Sequence, residues 1–183
     1  MPSLPADLAK VIELAGVRQP TQAPTPQDWE RLEAKTGLVF PSDYKQLISG
    51  LGKGYFGMNL RFENPADSYN PLSHALLLDH LEWFKGIMAC TSLKFYPEEG
   101  GLVFVGHIDR HYFFYLPEKR SKNLRQLVWI DSNYNVVYPL DGSLPSFLYK
   151  LYMGEYPKLF PVKLEDLRAT IWHDRPFFTA HKA

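Results

Sequence analysis

Between Leu102 and Tyr138 the chain carries four apolar stretches separated by polar turns. Leu102–Ile108 and His111–Leu116 flank Asp109-Arg110, and Gln126–Ile130 and Asn135–Tyr138 flank Asp131-Ser132-Asn133. Short apolar runs bounded by Asp, Asn and Ser read as strands, because those side chains bond their own backbone and stabilise turns. Turns this short join only antiparallel strands, since a parallel pair needs a crossover of about a dozen residues. The segment therefore predicts two β-hairpins. The basic stretch between them, Glu118–Arg125 (EKRSKNLR), reads as a solvated loop.

Helix signals lie on either side. Leu4–Ala15 places Leu8, Val11, Ile12 and Ala15 on one face. Arg18–Thr25 is a Pro/Thr/Gln linker, with too little chain before it to form a separate core. A second helix is bracketed by Thr25 as N-cap, Pro26 at the first position, Asp28 three residues past the cap, and Gly37 as stop. A third starts at Pro41, and its Tyr44, Leu47, Ile48 and Leu51 form one apolar stripe. Further helices are expected at 73–85, at Ser143–Met153 and, more weakly, at 164–170. The end of the chain, RPFFTA, reads as extended. Helices, then a meander of strands, then helices predict an α+β fold: a single domain whose largely antiparallel sheet carries helices packed on one face.

The stretch LGKGYFG contains G-x-G-x-x-G at Gly52, Gly54 and Gly57. A dinucleotide site needs strand, glycines, helix, so that phosphate meets a helix N-terminus. Here the glycines follow a helix and precede a strand expected from Met58 to Phe62. The motif therefore reads as a helix stop and a tight turn, although Asp79 lies near the spacing of a ribose-binding acid.

No catalytic constellation emerges. His107 and His111 have metal-ligand spacing only on a helix, and here they flank a turn. Cys90 is the one cysteine, with no base in view, which argues against a disulfide framework and for a reducing compartment. Glu98-Glu99 reads as solvated charge, and His80 as an edge-of-core residue. Hydrophobic residues at 45%, charged residues at 22% and a net charge of zero fit a soluble globular protein and argue against a general nucleic-acid binder. No span-length apolar run or secretory signal is visible, so a cytoplasmic location is expected.

The segment WERLEAKTGLVFPSDYKQLISGLGKGYFGMNLRFENP resembles the opening of the SUKH superfamily of bacterial immunity proteins and yeast cell-wall-synthesis regulators. The matching residues are Trp29, Gly37, Phe40, Pro41, Asp43, Tyr44, Gly52, Phe62 and Pro65. PEEGGLVFVGHID, Pro97–Asp109, and DGSLPSFLYKLYMGE, Asp141–Glu155, are similar to later parts of that pattern. One departure is Arg110-His111, where many relatives have Gly-Asp. The resemblance implies a SUKH-like domain over 26–155, preceded by a helix and linker (1–25) and followed by a C-terminal extension packed on the domain (156–183). It also implies binding without catalysis or cofactor. The expected function is neutralisation of a cognate toxin domain, often a nuclease, by covering its active site. The alternative is a regulatory or scaffold module for an endogenous protein. A protein partner is expected, with no direct nucleic-acid, metal or membrane binding, and a monomer or weak dimer. If helices cover one sheet face, the other face and the hairpin tips remain for that partner. Asp109, Arg110, Asp131, Asn133 and Tyr134 at the tips are the candidate contacts. The loop from Gly52 to Phe56 is the fallback.

Overall fold

The computed structural model describes residues 6–57, 60–66, 84, 86, 93–108, 111–118, 123–131, 136–155 and 176–180. Its architecture is α+β, as expected. Among the described residues, four helices accompany a five-stranded antiparallel sheet and a two-stranded sheet.

The helices are α1 (Ala6–Ala15), α2 (Pro26–Thr36), α3 (Ser42–Leu51) and α4 (Leu144–Met153). The start of α2 is a reciprocal cap. Thr25 Oγ1 accepts from the Asp28 N–H at 3.2 Å, and Asp28 Oδ2 accepts from the Thr25 N–H at 2.9 Å. Gly37 ends α2, its N–H donating to the Glu33 carbonyl at 2.8 Å. The Glu33 carboxylate then accepts from the Phe40 N–H and from Lys45 Nζ, each at 2.9 Å, which sets α3 against α2. Ser143 caps α4 through Oγ, 3.2 Å from the Ser146 amide, and Gly154 closes it.

The large sheet runs in the order β2 (Arg61–Phe62), β3 (Val103–Ile108), β4 (His111–Pro117), β5 (Leu124–Asp131) and β6 (Val136–Pro139). Both expected hairpins are present. Ile108 pairs with His111, His111 with Asp131, and Asp131 with Val136, so both turns leave the sheet from one end. Leu124 and Arg125, read as loop from composition, instead begin β5.

The glycine stretch holds a strand that the sequence did not announce. β1 (Gly54–Phe56) pairs antiparallel with β7 (Phe178–Ala180), the extended aromatic segment near the end of the chain. Gly52 caps α3 with a φ of 69°, and a Cβ there would overlap the backbone of Thr21. A Cβ on Gly54 would run into Phe178 and the Thr179 carbonyl. These glycines admit neighbouring segments at close range; they do not cradle a phosphate. Of the strand expected from Met58 to Phe62, β2 forms the end, with Leu60 bridging back to Phe56; Met58 and Asn59 lie outside the described residues. The expected helix at 73–85 lies outside the described residues except Phe84, whose backbone is helical. The expected helix at 164–170 lies outside them too.

Alternation along the strands divides the core. One face of the sheet sends Phe113, Tyr115, Leu127 and Trp129 toward the helices, where Trp29, Tyr44, Leu47, Phe147 and Leu151 meet them. The N-terminal helix belongs to this core, with Leu8 and Val11 fully buried, and so do Phe177 and Phe178. The opposite face was expected to stay open for a partner. It does not: Phe104, Tyr112, Phe114, Val128 and Ile130 are buried there with Phe84 and Phe95. Phe84 lies 4.9 to 5.9 Å from four aromatic rings of this second cluster. Both sheet faces are apolar, so both need cover.

Candidate functional site

The Pro-Ser-Asp-Tyr segment that opens α3 divides its labour. Tyr44 is fully buried, packed on Trp29 and Phe40 at 5.9 Å, and its hydroxyl donates to the Glu63 carbonyl at 2.6 Å. Trp29 is anchored by its own N–H, which donates to Ser49 Oγ at 3.0 Å. These residues are structural, as the apolar periodicity predicts. Asp43, on the next face of α3, turns outward instead.

Asp43 lies in an open groove of about 550 Å³. Three elements form its walls: the segment Val39–Asp43, the start of β5 at Asn123–Arg125, and Gly142-Ser143 ahead of α4. The walls are tied by a parallel bridge between Val39 and Asn123 and by the Leu124 N–H donating to the Val39 carbonyl at 2.9 Å. Tyr115 of β4 forms the floor, its ring edge-on to Tyr44 at 5.7 Å.

Two polar groups at this groove keep unused hydrogen-bonding capacity among the described residues. The Tyr115 hydroxyl is buried with no hydrogen-bond partner among the described residues. Burial first, and the nearby Asp43 charge second, push its pKa well above the usual phenol value, so it stays protonated and neutral. Asp43 accepts the Tyr44 N–H at 2.9 Å but has no ion pair among the described residues. Its cationic neighbours are engaged elsewhere: Lys45 with Glu33 at 2.9 Å and Arg125 with Glu118 at 3.5 Å. Val39, 45% exposed, supplies an apolar wall. A buried polar group left unsatisfied costs about 1–3 kcal/mol, which makes the Tyr115 hydroxyl a place where an incoming group is rewarded.

The candidate contacts chosen from sequence are the residues of the two hairpin turns. Asp109, Arg110, Asn133 and Tyr134 are outside the described residues, and Asp131 closes β5 opposite His111. The strands that lead to those turns end at the far side of the sheet from the groove, which sits beside the Pro117–Leu124 end of the β4–β5 pair. The fallback stretch, Gly52–Phe56, is no free loop: β7 covers it, and Gly54 and Phe56 are buried.

The other candidates separate cleanly. His107 pairs with Tyr112 and His111 with Ile108, so the two imidazoles face opposite sides of the sheet. His107 stacks on Phe104 at 6.4 Å, and His111 packs at a tilt against Trp129 at 4.9 Å. Among the described residues no group of three metal-ligating side chains gathers. Glu98 and Glu99 are exposed on a turn, as expected. Cys90, His80 and Asp79 lie outside the described residues. A cavity of about 10 Å³ between Phe84, Phe95 and Phe114 is room for about one water, in an apolar setting.

Sequence reasoning passed over Asp43 and Tyr115 as site residues. An acid in a first helical turn is ordinary, and an aromatic in a strand is ordinary; only their meeting is informative. None of the described helices is long and apolar enough to cross a membrane. Set against family models, curated proteins and solved structures, the chain matches none significantly.

Proposed function

We propose that this chain is a non-catalytic protein-binding domain that neutralises a cognate toxin domain, in the manner of the SUKH immunity proteins its sequence resembles. The observation that carries the reading is the groove. Two of the three segments bearing the resemblance, around Pro41–Asp43 and Gly142-Ser143, line it together. The aromatic residues of the same pattern fix its walls through the core. The groove is open, with an apolar wall at Val39 and a carboxylate that has no ion pair among the described residues, which suits a protruding side chain of another protein.

The test is genetic and direct. The domain is co-expressed with the C-terminal toxin domain encoded beside its gene. Growth should be restored, and the two proteins should co-purify. Toxicity that persists for every such neighbour, with no complex formed, overturns the reading. Capture of one endogenous housekeeping protein would then favour a scaffold role.

A further inference from the structure

We propose that the groove at the N-terminus of α3 is an arginine pocket: a partner's guanidinium seats against the Asp43 carboxylate and the Tyr115 hydroxyl oxygen, with its methylene stem along Val39. This rests on reading the chain as a protein-binding domain and names the partner's chemistry at one site. It carries no covalent step.

Charge decides the sign of the occupant. Both helix N-termini at the groove carry partial positive charge, about half an elementary charge each. Each is already answered, α3 by Asp43 at the Tyr44 amide and α4 by Ser143 at the Ser146 amide. Arg125 is 69% exposed and already paired with Glu118, so it adds little in water. Lys119, Arg120 and Lys122 enter only as sequence charge between Glu118 and Asn123, and they favour acidic residues flanking the arginine. That leaves Asp43 as the half-buried full charge without a counter-ion among the described residues, beside an aromatic floor where screening by water is reduced.

Geometry decides between cations. The two acceptors in the groove are a carboxylate and a phenol oxygen. Arginine presents several donors in one plane, is weakly hydrated, and bonds a carboxylate while donating to a second oxygen. A lysine ammonium is more strongly hydrated and surrenders more to enter. An apolar stem against exposed Val39 is the usual way such side chains cover hydrophobic surface.

Asp43→Asn is the discriminating variant. Asn keeps the shape and the oxygen that accepts the Tyr44 N–H, and it removes only the charge. The probe is N-acetyl-arginine amide, titrated into the full chain with backbone amide shifts as the readout. N-acetyl-norleucine amide, N-acetyl-lysine amide and inorganic phosphate serve as the other arms. The arginine probe should shift the Ser42, Asp43 and Tyr44 amides saturably and more tightly than the lysine probe. Binding should weaken at least tenfold in Asp43→Asn and by a smaller factor in Tyr115→Phe. No saturable shift, equal shifts from the norleucine probe, unchanged affinity in Asp43→Asn, or phosphate acting where arginine does not each overturns the pocket. Growth rescue without arginine binding would move the toxin interface elsewhere and leave the proposed function standing. Arginine binding without rescue would keep the pocket and replace the toxin with another protein.

Discussion

At the start of α2, one carboxylate completes a cap and carries a stability that depends on pH. Asp28 is buried, and its hydrogen bonds with Thr25 hold its pKa below the ordinary value of 3.8. A depressed folded pKa contributes stability above the unfolded value, and that stability is lost as pH falls through the folded one. Asp28→Asn should therefore cost about 1 kcal/mol at neutral pH in urea unfolding, and the gap should narrow as the pH falls below the ordinary carboxylate value. An equal gap at neutral and acidic pH would mean that the charge plays no part. Trp29, next in sequence, tests packing. It is 4% exposed and packs on Phe40 at 5.7 Å, so Trp29→Ala should cost about 3–5 kcal/mol. A melting temperature unchanged by this substitution would contradict the buried position. Both residues were legible beforehand: a cap has a spacing, and a helical stripe has a period. Asp43 and Tyr115 were not, since they stand 72 positions apart and neither is unusual in its own element.

Among the elements, β2 and β7 depend most on what they pack against. β2 has two residues, at the end of the alternating stretch that reads as a strand from Met58. It lies so close to β3 that a Cβ on Gly106 would sit 2.5 Å from the Arg61 carbonyl oxygen, beside an irregularity in the β3–β4 register. Gly106→Ala should cost about 1–3 kcal/mol by pushing β2 away, visible as a lower urea midpoint. β7 is three residues long, yet Phe178 lies 5.0 Å from Phe56, and Phe177 packs on both Phe56 and Tyr152. Ending the chain at Arg175 removes two buried phenylalanines and should cost roughly 3–6 kcal/mol. A truncated protein of unchanged stability would show that β7 is an appendage. The RPFFTA segment was legible as extended, but its partner was not. Register with β1 spans more than 120 residues of chain, and no local pattern encodes it.

In the whole molecule, α1 and β7 share one hydrophobic cluster with the helices and sheet between them. The chain should therefore unfold in a single transition, with tryptophan fluorescence and far-UV circular dichroism giving coincident urea curves. Two separated transitions would mark the N-terminal helix or the C-terminal strand as an independent unit. The sequence by itself determined what depends on near neighbours: the caps of α2 and α4, the helical stripes, the two hairpins and hence the α+β class. These follow from hydrogen bonds and side-chain periods spanning a few residues. Only the tertiary structure decided that the far face of the sheet is buried, that the glycine stretch receives a strand from the end of the chain, and that Asp43 meets Tyr115. Such contacts form between segments distant in sequence, where burial of apolar surface, and no local preference, selects the partner.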